Sequence, residues 1–123
     1  MNTAITPEVI NSAYQAAQDA RRFYARAGID ALTAKDVLRR AEAEAVRDGV
    51  LADAKNDTQR ASALREACAV PHALLLGAES DEIAARGEYE AAALEVQRVE
   101  ALLRLLEIEA RIGPAPNIEP PPF

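Results

Sequence analysis

Residues 80–112, SDEIAARGEYEAAALEVQRVEALLRLLEIEARI, decide the fold. This stretch from Ser80 to Ile112 holds no proline, and alanine, glutamate, leucine and arginine, all strong helix formers, dominate it. It reads as one helix of about 50 Å at 1.5 Å per residue. Tyr89, Val96, Leu103 and Ala110 recur every seven residues, with Ala85, Ala92, Val99 and Leu106 between them. Those are the a and d positions of a coiled-coil seam. Ser80-Asp81-Glu82 reads as its capped start, and Gly87 as its weakest helical position.

A compact chain of this length has a radius of gyration of about 14 Å. A 50 Å helix is too long for such a globule to wrap on every side. Leu94, Ala101, Leu105, Ile108 and Ile112 lie off the seam and Leu102 flanks it, so one neighbour cannot cover all the apolar positions. The expectation is a homo-oligomer, dimer or higher, joined through Tyr89, Val96, Val99, Leu102, Leu103 and Leu106. Glu82–Arg86, Glu100–Arg104 and Glu107–Arg111 stand four apart in the favourable order for ion pairs.

Working back from this helix, the remainder also reads as helical. Thr6-Pro7-Glu8 opens a first helix over 7–27: Thr6 caps, Pro7 sits where its missing donor costs nothing, and Glu8 faces the positive end. Gly28 is read as its stop. Thr33 with Asp36 opens a second helix over 33–48 that ends at Gly49. A third covers 57–69, stopped by Pro71, and Ala73-Leu74-Leu75-Leu76 reads as a buried turn or a single helical turn before the long helix over 80–112. The predicted fold class is all-α: a helical bundle with a long C-terminal coiled-coil-like helix, residues 1–112 forming one helical domain and 113–123 a Pro-rich tail.

Half of the 123 residues are apolar, but aromatics make up 4% and tryptophan is absent, so the core is thin and gains from an oligomer interface. Residues 1–65 hold ten basic and nine acidic side chains, and residues 66–123 hold four and eleven. The acidic half is a poor phosphate binder, although it can steer a basic partner. Cys68 is the single cysteine, which excludes an intramolecular disulfide and suits a reducing compartment. No run approaches a membrane span, and Met1-Asn2-Thr3 lacks the charged and apolar regions of a signal peptide, so a cytoplasmic protein without membrane contact is expected.

Candidate chemistry is sparse. His72 has no partner at metal-ligand spacing, and Cys68 shares an apolar face with Leu64, which reads as a buried thiol. No glycine-rich phosphate loop, Glu-x-x-His pair or nucleophile turn occurs. The expectation is no enzyme activity, no cofactor and no metal. Arg21, Arg22, Arg26, Arg39 and Arg40 form a candidate partner or nucleic-acid patch if the first two helices lie side by side, with Phe23 and Tyr24 placed to stack on bases. The plainer reading of these arginines is stabilisation of a helix C-terminus. The Pro-rich tail contains no P-x-x-P match.

Lys55-Asn56-Asp57-Thr58-Gln59-Arg60 leads into a short helix, a loop and a long Glu, Arg and Leu-rich helix. Over residues 50–112 this resembles small helical proteins of phages and prophages, in which a K-N-x-x-x-R segment precedes a terminal coiled-coil helix. The resemblance implies a phage-derived protein, in some cases one that accompanies DNA recombination or replication. Without it, Asn56 or Asp57 still reads as a helix cap, and Arg60 as a residue that reaches carboxylates of the long helix. The leading expectation is a non-enzymatic oligomeric assembly or adaptor protein. The alternatives are a nucleic-acid accessory protein using the arginines, or an acidic inhibitor of a basic nucleic-acid-binding protein.

Overall fold

A computed structural model describes residues 5–112, and these residues form three helices: α1 (Pro7–Arg47), α2 (Asp57–Ala67) and α3 (Ala69–Ile112). The all-α class holds, with the long C-terminal helix packed against the first. α1 opens as expected. Thr6 Oγ1 accepts from Val9 N at 3.2 Å, and Pro7 occupies the first turn.

Gly28 does not stop α1, which runs unbroken through 41 residues. Gly28 has ordinary helical backbone, and a Cβ there would meet nothing within 4 Å. Thr33 opens no second helix: its hydroxyl donates to Ile29 O at 2.9 Å, inside the helix. The reason lies in the register. Ile10, Ala13, Ala17, Ala20, Tyr24, Ala27, Ala31, Ala34, Leu38, Ala41 and Ala45 alternate steps of three and four, and every one is buried or half-buried. This stripe passes through Gly28 and Thr33 without slipping, so burial along the whole face outweighs a helix cost of about 1 kcal/mol at the glycine.

The true stop is Gly49, at φ +86°. Val50 N donates to Ala45 O and Gly49 N to Val46 O, both at 3.1 Å. That is the Schellman arrangement, and Val50 then packs on the core, completing its hydrophobic contact. α2 is capped by Asn56, whose Oδ1 accepts from Gln59 N at 2.8 Å. It ends at Ala67, and Cys68, its C-cap, is the single residue between it and α3.

The expected third helix over 57–69 ends at Ala67 instead, Pro71 is not what stops it, and the long helix starts eleven residues before Ser80. Pro71 lies in the first turn of α3, where no intrahelical partner awaits its missing N–H. Ala73-Leu74-Leu75-Leu76 takes the helical one of its two expected forms, as part of α3 itself, and of the four only Leu75 is buried. The expected tail, residues 113–123, lies outside the described residues.

α1 and α3 form an antiparallel hairpin: Tyr14 meets Glu100, Tyr24 meets Tyr89, and Leu38 clusters with Leu75. The inward positions of α3 are Leu75, Ala78, Glu82, Ala85, Tyr89, Ala92, Val96, Val99 and Leu103, again at steps of three and four. Small side chains on both helices allow close approach of the two axes. At the connecting end, Leu38, Ala45, Cys68 and Leu75 make a core cluster, against which Leu64 brings α2. α2 itself buries no residue, so it caps one end of the hairpin and leaves most of its length two helices thick.

Candidate functional site

A two-helix hairpin has a seam and two open flanks, and what the seam consumes is unavailable for other partners. Of the six residues expected between copies, Val99 is fully buried within its own chain, at 0% exposure. Tyr89 stacks on Tyr24 of α1, with ring centroids 5.8 Å apart and planes tilted by 31°. Val96 and Leu103 are half-buried along the same stripe, and Leu102 is half-buried beside it. Leu106 remains 47% exposed. The seam read in the sequence is thus covered largely by α1, whose turns from the N-terminus through Tyr24 run antiparallel along it.

Apolar surface remains beyond the seam. Leu105, Ile108 and Ile112 join Leu106 as exposed residues in the last turns of α3. Phe23, Ile29, Leu32 and Ile83 are exposed along the flanks, each above 60%. They divide between two grooves. One runs between Ile29, Leu32 and Lys35 of α1 and Glu79, Glu82 and Ile83 of α3. The other runs between Arg22, Phe23, Arg26 and Asp30 of α1 and Ala78, Asp81, Ala84 and Glu88 of α3. The sequence signal for these residues is their place one step off the seam, legible only once the seam of α1 is drawn through Gly28.

The arginine patch is not assembled as expected. Arg21, Arg22, Arg26, Arg39 and Arg40 lie on one helix instead of two adjacent ones. Arg26 and Arg39 are separated by about 20 Å of helix rise. Arg40 Nη2 pairs with Asp36 at 3.0 Å, and Arg22 and Arg26 share their groove with Asp30, Asp81 and Glu88. Phe23 is open to solvent, whereas Tyr24 is held on Tyr89.

Side-chain bonds across and along the hairpin also differ from expectation. Tyr14 Oη donates to Glu100 Oε1 at 2.8 Å, taking the carboxylate assigned to Arg104. This hydrogen bond, with some desolvation and the adjacent negative charge, raises the Tyr14 phenol above its ordinary range. Arg98 Nε donates to Glu95 Oε2 at 3.0 Å and holds that carboxyl below the usual carboxylate range. Arg86 turns forward to Glu90 at 3.2 Å, away from Glu82, which sits on the seam. Arg60 pairs with Asp57 at 3.3 Å on its own helix and reaches no carboxylate of α3.

Cys68 is a buried free thiol in the core cluster, as its apolar face implies. His72 lies one turn on, its backbone N donating to Cys68 O at 2.9 Å. Its Nδ1 is buried with no hydrogen-bond partner among the described residues. No group of three His, Cys, Asp or Glu among the described residues is placed to hold a metal ion, and no described helix is long and apolar enough to cross a membrane. No known protein family, curated protein or solved structure matches the chain.

Proposed function

We propose that the protein is a non-enzymatic assembly or adaptor protein that self-associates through apolar surface left open by its own hairpin. One observation carries this reading: Leu105, Leu106, Ile108 and Ile112 crowd the last turns of α3, each about half exposed or more. Grouped aliphatic side chains of this kind mark an interaction surface, whereas scattered ones do not. The thin seam supports it further. Among the described residues, four of the eight buried apolar ones are alanines and Val99 alone is fully buried. A hairpin so sparsely cored gains stability from a second layer.

Relative to the expected interface, the contact moves outward, from Tyr89 and Val99 to Leu105, Leu106, Ile108 and Ile112. Light scattering on a sizing column across a dilution series tests this. The expected result is a dimer or higher species for the unaltered chain, and a monomer of unchanged helicity for Leu105→Glu combined with Ile112→Glu. A monomeric unaltered chain, or a double variant of unchanged mass, would overturn it.

A further inference from the structure

The open surface at the end of α3 continues along one flank of the hairpin. Ala84, Ala91, Leu105 and Ile112 fall on one heptad line of α3, interrupted by Arg98, and Val9, Ala16, Phe23 and Val37 on one line of α1, interrupted by Asp30, all of them exposed. Between these lines runs the groove of Phe23. Its α1 wall carries Arg22, Arg26 and Asp30, and its α3 wall carries Asp81 and Glu88. None of the four ion pairs among the described residues engages any of these five.

Resting on the assembly reading above, we infer that this flank docks a second copy of the chain. The two-fold axis runs along the hairpin, so that each copy's α1 lies over the other's α3. The product is an antiparallel four-helix bundle, each helix flanked by neighbours of opposite direction.

Charge selects this axis. The α1 wall is net positive, Arg22 and Arg26 against Asp30, and the α3 wall is negative. The Arg22 and Arg26 end of one therefore becomes complementary to the Glu88 end of the other when α1 is laid over α3, while Asp30 comes near the partner copy's acidic Asp81. An isologous contact makes every such pairing twice. An axis running across the hairpin would set Arg22 and Arg26 over their own copies, and Glu88 over Glu88, which is repulsive. Height agrees with sign. Tyr24 faces Tyr89 within one chain, so Arg26 and Glu88 stand at nearly the same level. An axis along the hairpin preserves level and presents Arg26 of one copy to Glu88 of the other. The two Phe23 rings arrive at a common height too, level with the small, exposed Ala91, where a central aromatic anchor is most effective.

Area is sufficient. A flank about 60 Å long and two helices, or roughly 20 Å, wide exceeds the roughly 800 Å² per partner of a standard stable interface.

The test is a charge exchange between Arg26→Glu and Glu88→Arg. Both positions are exposed, so both variants are expected to fold with unchanged helicity. Each alone sets like charges together in its homodimer and is expected to weaken dimerisation at low salt by about tenfold or more in sedimentation equilibrium. Mixed one to one, they bring unlike charges together at both symmetric contacts, and a heterodimer of near-native affinity is expected. Single variants that dimerise like the unaltered chain, or a mixture that does not recover, would overturn this inference while leaving self-association intact. An unaltered chain monomeric throughout would overturn the assembly reading itself.

Discussion

Tyr24 and Tyr89 stack across the hairpin with ring centroids 5.8 Å apart, the one aromatic pair of the described seam. Alanines lie on either side of both rings: Ala20 and Ala27 on α1, Ala85 and Ala92 on α3. This layer therefore contributes more apolar area than its neighbours. Tyr24→Ala or Tyr89→Ala is expected to cost about 2–4 kcal/mol, toward the lower side of aromatic truncations because the rings are half-buried. A double-mutant cycle in guanidinium unfolding should return a coupling of about 0.5–1.5 kcal/mol. Strict additivity would show that the rings do not act as a pair.

Ala85 is 7% exposed and belongs to a seam of small residues. Ala85→Leu keeps helix propensity nearly constant while adding bulk where the helices approach. The expected effect is destabilisation by about 1–3 kcal/mol, read as a lowered denaturant midpoint. A gain in stability would mean that the helices stand far enough apart to accept a leucine.

Gly49 and Gly87 call for opposite outcomes. Gly49 occupies φ +86°, so Gly49→Ala should cost about 1–2 kcal/mol from strain in the left-handed conformation. Gly87 is helical, and a Cβ there meets nothing within 4 Å. Gly87→Ala should therefore stabilise by about 0.5–1 kcal/mol, seen as a rise in Tm.

Asn56→Ala removes the acceptor of Gln59 N and is expected to cost α2 about 1 kcal/mol. Because α2 buries no residue, the loss should be local. Hydrogen exchange should accelerate within Asp57–Ala67 and stay unchanged around Val99.

The Tyr14 phenol is raised by its hydrogen bond to the Glu100 carboxylate, so the folded state holds this proton more tightly than the unfolded chain does. The contribution is complete below the ordinary tyrosine range, near about pH 10, and is lost as pH rises through the higher folded value. The stability gap between the unaltered chain and Tyr14→Phe should be constant near neutrality and close above that range. Glu95 behaves in the opposite sense. Its carboxyl is held low by Arg98, so its contribution is present above the ordinary carboxylate range and disappears as pH falls through the depressed folded value.

Much of this architecture is legible in the residues, for identifiable reasons. Thr6-Pro7, Asn56 and Gly49 mark ends through chemistry confined to a few neighbouring backbone groups, and the structure uses all three. The heptad of α3 stands out because Val96, Val99 and Leu103 contrast with their charged neighbours. Its partner stripe on α1 is mostly alanine, which contrasts weakly with anything, so the covering of Val99 by the same chain leaves little trace in the sequence. Gly28, Thr33 and Pro71 are common breakers, and each lies within a helix here because register or position in the first turn outweighs local preference. The three-four spacing from Tyr24 through Ala27, Ala31 and Ala34 to Leu38 joins the first two expected helices into one and leaves Phe23 on an open flank.

The antiparallel pairing of α1 and α3 places Pro7 and Ile112 at the same end of the molecule, remote from α2. Tension applied through those two points would load the helix contacts in series. Layers would peel one heptad at a time, in strides of about 10 Å. The hairpin is therefore a mechanical zipper, weak when pulled by its ends and strong when sheared along its length. Its final teeth are Leu38, Ala45, Cys68 and Leu75 at the closed end.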